Sequence, residues 1–211
     1  MNNFIHISSP SLSALAENAK GQIHAIFLHW TAGRYDQKFS DYHLCIDGDG
    51  QVYSSCFNLL DKKAHTWHRN TGSIGIALCC ALGATISRSR SEHITCEAHI
   101  ASPSGDISPW KVDFGDFPPT IAQIQSMAYA VACICFHADL PINASTVITH
   151  AEIAKVDNYG IESDDPEKKW DLLVLPGTAI SGGDYIRSLA KACLAKLKRD
   201  REKLSLELAK Q

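Results

Sequence analysis

Short apolar runs that alternate with helical patterns constrain the fold of this chain most strongly. Ile23 to His29 and Ser73 to Cys80 are compact runs with β-branched members, and Val147 to Thr149 is a shorter one. Runs of this length, bounded by turn residues, are typical of buried β-strands. His29 ends the first run, and His150 directly follows the third. The sequence therefore predicts strands of which two end at a histidine.

A turn between two short runs predicts a β-hairpin. Tyr42 to Ile46 and Gln51 to Ser55 flank residues 47–50, which read Asp-Gly-Asp-Gly. Glycine tolerates a positive φ and aspartate side chains cap tight turns, so this segment favours a sharp reversal of the chain. The polar stretch from Gly83 to Gly115 has no sustained period. We interpret it as an insertion or long loop that is partly structured.

Helical patterns lie at both ends of the chain and in its second half. Thr120 and Gln123 have the spacing of a capping box, and apolar residues then keep one helical face to Ala138. Ser11 to Lys20 predicts a short helix, and Asp184 is expected to cap a final one. Alternating helices and strands without a repeat or linker indicate one α/β domain.

The charge and the apolar runs exclude several classes of protein. The formal net charge is −3 and the one dense basic block is the tail from Lys196 to Lys203, so we expect no nucleic-acid partner. No apolar run reaches the roughly 18 residues of a membrane span, not even Ala128 to Ala138. Met1 to Lys20 lacks the features of a secretory signal peptide. We therefore expect no membrane span and synthesis in the cytoplasm.

Eight cysteines leave the redox state of the chain open. None forms a Cys-x-x-Cys pair, and most lie inside apolar runs. That placement favours buried, reduced thiols, because cysteine is among the most often buried residue types. One or two disulfides, for example between Cys80 and Cys96, are the alternative.

Three residues at the ends of elements are candidates for a metal site. They are His29, His150 and Asp171. A catalytic zinc ion takes three protein ligands from His, Cys, Asp or Glu and keeps one position for water. Side chains at the carboxyl ends of neighbouring strands converge on one crevice in open α/β sheets. Each residue alone is more typical of a structural histidine or a loop aspartate, so the hypothesis depends on the residues around them.

Those surroundings resemble the type-2 family of N-acetylmuramoyl-L-alanine amidases, which includes amidase-type phage lysozymes, wall-recycling amidases and animal peptidoglycan recognition proteins. The resemblance covers roughly Ile23 to Pro176. It depends on five blocks that follow the family's order: His29-Trp30-Thr31-Ala32-Gly33; the hairpin from Tyr42 to Asp47 with Gly50; Ala64-His65 before Ser73-Ile74-Gly75-Ile76; the Pro-Thr-initiated helix with Thr149-His150-Ala151-Glu152; and Lys169-Trp170-Asp171.

The resemblance implies a metal centre and two assisting residues. By it, His29, His150 and Asp171 are expected to hold Zn²⁺ with an open fourth position. Tyr42 is expected to orient the attacking water, and Lys169 to stabilise the charge that develops on the carbonyl oxygen. The implied fold is a single domain over residues 1–211, with a core of about residues 21–178. It has a central mixed β-sheet flanked by helices, a long insertion and a C-terminal helix of about residues 184–205.

The resemblance also implies a substrate groove. His65, Trp67, Asn70 and Thr31 are expected to bind peptidoglycan, and a structural hydrogen-bonding role is the open alternative for His65. Aromatic and amide side chains suit sugar and peptide ligands.

One position departs from the wall-recycling branch, which carries a glutamate after Ile-Gly-Ile where this chain has Ala77. A carboxylate base is therefore absent there, and Glu152 or a chain of waters is a secondary candidate for the proton acceptor. Trp30 is interpreted as a core residue.

The expected function is zinc-dependent hydrolysis of the amide between N-acetylmuramic acid and L-alanine in peptidoglycan. A non-catalytic peptidoglycan-binding module of the same fold is the main alternative, and a cysteine hydrolase or a regulatory role are weaker ones. We expect action in the periplasm or cell wall of a target or host bacterium. Either a secretion system injects the protein as an antibacterial toxin, with an immunity protein as partner, or lysis releases it as a phage endolysin.

Overall fold

A computed structural model describes residues 4–88, 97–101, 107–178 and 180–210. The strands in this part of the chain are β1 (Ile5–His6), β2 (Ala25–Trp30), β3 (Leu44–Ile46), β4 (Val52–Ser54), β5 (Ser73–Leu78), β6 (Thr85–Arg88), β7 (Glu97–Ala101), β8 (Ile107–Asp113) and β9 (Val147–Thr149). The helices are α1 (Ser9–Asn18), α2 (Ile121–Ala138), α3 (His150–Val156) and α4 (Gly182–Leu208).

Six strands form a mixed sheet in the order β1-β4-β3-β5-β2-β9. β3, β5, β2 and β9 run parallel to one another, whereas β4 pairs antiparallel with both β3 and β1. β2 and β5 are buried along their whole length. Strands covered on both faces need continuous apolar runs, which is the pattern the sequence shows. The predicted α/β fold with a central mixed sheet, and the predicted hairpin, are confirmed.

α2 is the central helix of the core. Thr120 and Gln123 form the predicted capping box, with N–H to side-chain distances of 3.1 and 3.0 Å. The Gln123 amide also donates to the carbonyls of Ile46 and Cys79, at 3.0 and 2.9 Å, and so ties the start of the helix to β3 and β5. By length and composition α2 could cross a membrane, but 61% of it is buried within the fold. A core helix passes the same test.

The segment interpreted as a partly structured insertion contains β6, β8 and β7, which form a second, antiparallel sheet in that order. Val112 and Phe114, which close this segment, join the main hydrophobic core. The sequence pattern missed these strands because strand formation depends on cross-strand partners more than on backbone preference. Cys96, considered above for a disulfide, lies outside the described residues.

The start of the last helix differs from the prediction, and one short helix was not predicted. Asp184 does not cap α4, because the Ser181 hydroxyl accepts the Asp184 N–H at 3.1 Å and the helix begins at Gly182. Glycine is a poor helix former, so the pattern hid this start. A Cβ on Gly183 would lie 2.4 Å from the Glu152 carboxylate, so a larger residue there would displace that side chain. The short helix α3 was not predicted.

Candidate metal centre

The main sheet brings His29 and His150 to the same edge. β2 and β9 are adjacent and parallel, with Leu28 opposite Thr149. His29 is the next residue of β2, and His150 begins α3 directly after β9. The two histidines are 121 residues apart in sequence, yet their imidazoles face each other.

A tight turn places Asp171 beside them. The Ala151 N–H donates to the Asp171 carbonyl at 3.2 Å, which ties the backbone of this residue to the start of α3. Leu172 follows with φ 57° and is fully buried. A left-handed conformation is strained for leucine and persists only where the surrounding structure enforces it. The burial of Leu172 and the hydrogen bond from Ala151 therefore hold the backbone of Asp171 beside the start of α3.

Three donor atoms converge on one point. The Nδ1 atoms of His29 and His150 are 3.1 Å apart, and Asp171 Oδ2 lies 3.2 Å from the first and 2.9 Å from the second. All three residues are buried. In a tetrahedral zinc site with bonds of about 2.0–2.1 Å, the ligand atoms are roughly 3.3 Å apart. Both the donor types and their spacing fit a zinc ion with three protein ligands.

The protonation states of the group also suit a metal. Burial lowers the pKa of His29 to about 4, despite its hydrogen bond to Asp171. Burial alone would raise the pKa of Asp171, but the charges and hydrogen bonds of His150 and His29 lower it below its ordinary value. At neutral pH His29 is therefore an uncharged imidazole and Asp171 a carboxylate. These are the forms that bind a divalent cation.

The sequence between residues 19 and 171 matches the family of N-acetylmuramoyl-L-alanine amidases. The chain belongs to this family. The matched region ends at Asp171 and includes His29, His150 and Asp171, which we call the metal group. The match confirms the resemblance inferred from the motifs. No curated protein matches the chain. Membership indicates amidase activity in general terms.

In this amidase, a cleft of about 480 Å³ opens beside the metal group. His150, Asp171, Tyr42, Lys169 and Thr31 are among its lining residues. The Thr31 hydroxyl oxygen is buried there without a hydrogen-bond partner among the described residues. The structure thus brings both predicted assisting residues and two predicted substrate-binding residues, Thr31 and His65, to one cleft.

Tyr42 lies against the first metal-binding candidate. Its ring centroid is 5.1 Å from that of His29, and its hydroxyl is 3.5 Å from the carbonyl of Trp30. Burial, together with the nearby Asp171 charge, raises the pKa of Tyr42, so the phenol keeps its proton at neutral pH. Tyr42 can therefore act as a hydrogen-bond donor but not as a base.

Lys169 reaches the cleft from the segment before Asp171. Its N–H donates to the Tyr159 carbonyl at 3.1 Å, which anchors the backbone of this segment. The side chain is 42% exposed, and its ammonium lies 3.8 Å from the Glu167 carboxylate. This weak surface pair leaves the ammonium available to a ligand in the cleft.

A second cleft of about 770 Å³ adjoins the same group and shares His65, His150 and Lys169 with the first. Trp67 and Asn70 also line it. Trp67 is 61% exposed and available to stack on a ligand. Asn70 instead accepts the N–H groups of residues 65 and 66 at 3.1 and 2.8 Å. Its side-chain oxygen is therefore occupied in shaping the loop, and the substrate-binding roles remain predictions.

Glu152 faces away from the cleft. Its carboxylate accepts the Thr149 N–H at 2.8 Å and forms a two-point ion pair with Arg187 at 2.7 and 2.9 Å. The hypothesis that Glu152 accepts a proton in catalysis is therefore wrong. Trp30 is buried as predicted, with its ring edge-on to that of Trp170 at 4.8 Å.

The sequence interpretation missed Tyr159, which no motif marks. Its ring packs edge-on against those of His150 and Trp67, at 5.8 and 5.9 Å. Tyr159 thus forms a wall between the metal group and the exposed tryptophan. The sequence interpretation also missed Thr66, although this residue directly follows His65, which was predicted to bind substrate.

Proposed function

We propose that this family member is a zinc-dependent amidase that hydrolyses the bond between N-acetylmuramic acid and the L-alanine of the stem peptide. The observation that carries the proposal is the convergence of His29, His150 and Asp171, whose donor atoms lie within 3.2 Å of one another. A module that only binds peptidoglycan needs no such group, so an intact set of three ligands favours catalysis.

The residues around the group suit amide hydrolysis. A zinc ion held by His29, His150 and Asp171 would lower the pKa of a bound water to about 7 and would polarise the substrate carbonyl. The Tyr42 hydroxyl, which keeps its proton, can exchange its long contact with the Trp30 carbonyl for a hydrogen bond that orients the attacking water. The Lys169 ammonium stabilises the negative charge on the carbonyl oxygen, a contribution of about 3 kcal/mol for a well-placed donor.

The two clefts provide room on both sides of the scissile amide. They meet at His65, His150 and Lys169, beside the metal group. A substrate cleaved at this point can therefore extend into both, with the muramoyl sugar in one and the stem peptide in the other. Trp67, exposed in the larger cleft, offers a flat apolar surface to such a ligand.

Digestion of purified sacculi by the zinc-loaded protein tests the proposal. We expect release of stem peptides with a free L-alanine amino terminus, identified by mass spectrometry, and loss of that release after chelation or in His150→Ala. Intact sacculi in the presence of stoichiometric zinc would contradict catalysis and support a binding module. Activity that survives chelation but not thiol alkylation would instead support a cysteine hydrolase. Among the described cysteines, none lines either cleft.

We also propose that the protein acts in the periplasm or cell wall after injection or lysis. Its substrate lies outside the cytoplasmic membrane, and seven described cysteines are free thiols, as expected of a chain that folds in a reducing cytoplasm. Expression with a periplasmic export signal should be toxic to a Gram-negative host, and cytoplasmic expression should not. Rescue by a neighbouring gene would identify an immunity protein and support injection. Equal growth in both compartments would contradict the proposal.

A further inference from the structure

A chain of buried polar groups leads away from the metal group behind His29. The second ring nitrogen of His29, Nε2, lies 3.4 Å from the Thr66 hydroxyl, which lies 3.0 Å from Nδ1 of His65. Nε2 of His65 lies 3.4 Å from the Ser73 hydroxyl, which donates to the Arg69 carbonyl at 2.7 Å. We call the residues His29, Thr66, His65 and Ser73 the relay.

The last member determines the direction of every hydrogen bond in the relay. A carbonyl can only accept a hydrogen bond, so the Ser73 hydroxyl donates its proton to the Arg69 carbonyl. The Ser73 oxygen must then accept from Nε2–H of His65. In a neutral imidazole a proton on Nε2 leaves the other ring nitrogen bare, so Nδ1 of His65 carries no proton. That nitrogen accepts from the Thr66 hydroxyl.

The same logic reaches the metal group. Since the Thr66 hydroxyl donates to His65, its oxygen is left to accept from Nε2–H of His29. A neutral imidazole with its proton on Nε2 has a bare Nδ1. Nδ1 is the atom of His29 that faces His150 and Asp171. The relay therefore presents this nitrogen in the form that binds a metal.

The surrounding structure holds the relay in place. His29, Thr66, His65 and Ser73 are all buried. A Cβ at position 75 would lie 2.6 Å from the His65 ring, so Gly75 provides the space in which that ring packs against β5. Asn70 fixes the backbone of both His65 and Thr66. Side chains held in this way cannot readily exchange their hydrogen bonds.

We propose that Thr66, His65 and Ser73 are positioning residues that set the ring orientation and tautomer of His29 for metal binding. This inference rests on the proposed zinc site, and it assigns His65 to the support of a ligand rather than to substrate contact. Partners of this kind typically contribute 10- to 100-fold to metal affinity or activity.

Zinc affinity measured by competition with a chromogenic chelator tests the relay in the full-length protein. Thr66→Val keeps the shape of the side chain but removes the hydroxyl, and we expect it to raise the zinc dissociation constant about 10- to 100-fold. Thr66→Ser keeps the hydroxyl and should retain wild-type affinity. Ser73→Ala, three hydrogen bonds from His29, should show a smaller increase in the dissociation constant.

Ser54→Ala is the matched control. Ser54 is also buried and its hydroxyl also donates to backbone carbonyls, but among the described residues it forms no hydrogen bond to the relay. We expect wild-type zinc affinity in this variant. Wild-type zinc affinity in Thr66→Val would overturn the inference but would not contradict the proposed zinc site. A wild-type protein without zinc affinity would overturn both the inference and the proposed function.

Long-range ¹H–¹⁵N NMR of the histidine rings tests the tautomers without any substitution. In the zinc-loaded protein we expect the protons of both His29 and His65 on Nε2. His43 is an internal reference, because its Nδ1 accepts the Gly75 N–H at 3.0 Å and its Nε2 therefore donates to the Asp61 carbonyl. A His65 ring protonated at Nδ1 would contradict the direction derived for the relay.

Discussion

Replacement of Arg187 by methionine should destabilise the fold through the elements that carry His150. The Arg187 guanidinium is buried and donates to Glu152 on α3 at 2.7 and 2.9 Å. It also donates to the Val147 carbonyl in β9 at 2.9 Å and to Asp184 at 2.7 Å. One side chain therefore joins α4 to β9, which ends just before His150, and to α3, which begins with it.

The size of the effect follows from the burial of the partners. Removing one partner of a fully buried ion pair costs about 3–5 kcal/mol, because it leaves an uncompensated charge. The Glu152 side chain is 31% exposed, so water solvates part of the abandoned carboxylate. We therefore expect Arg187→Met to lower the free energy of unfolding by about 2–3 kcal/mol. For a chain of this size that corresponds to a fall in Tm of about 5–10 °C.

Calorimetry of the metal-free protein measures this fall in Tm. A double-mutant cycle with Glu152→Gln shows how much of it comes from the ion pair between Arg187 and Glu152. The two substitutions should couple by about 0.5–3 kcal/mol, since the residues are in direct contact. Arg199→Met, at an exposed position of the same helix, should leave Tm unchanged. A Tm for Arg187→Met equal to that of the wild type, or strict additivity in the cycle, would refute the reasoning.

Four further outcomes are expected. Asp171→Ala should abolish stoichiometric zinc binding, measured by elemental analysis after dialysis, and retained zinc would contradict its role as a ligand. Lys169→Met should lower kcat about 10²- to 10³-fold with little change in KM, since the ammonium acts on charge that develops during reaction; a rise in KM alone would indicate a binding role. Trp67→Ala should raise KM for muropeptides without lowering Tm, because the side chain is 61% exposed, and an unchanged KM would count against stacking. The metal-free protein should lose stability as the pH falls from 6.5 to 4, because burial lowers the pKa of His43 to about 4 and the unfolded chain binds the proton that the folded form rejects in this range. A Tm that stays constant over that range would contradict the last prediction.

Local patterns were sufficient to predict much of the main sheet and its central helix. The apolar runs that became β2, β5 and β9 are short and continuous because these strands are buried. The capping box at Thr120 joins residues three apart, so the sequence alone contains both partners. The order of the family motifs further identified His29, His150 and Asp171 as a group, and the structure places their donor atoms together.

Contacts between distant residues could not be predicted in this way. Whether Glu152 faces the cleft depends on Arg187, which is 35 residues away on another helix. The ring nitrogen that His29 presents to the metal group depends on Thr66 and, through it, on Ser73, and no spacing in the sequence encodes that path. The second sheet likewise requires β8 to find partners on both sides. Periodicity and capping describe neighbours along the chain, whereas hydrogen-bond direction and charge pairing arise only after folding brings remote segments within 3 to 4 Å of each other.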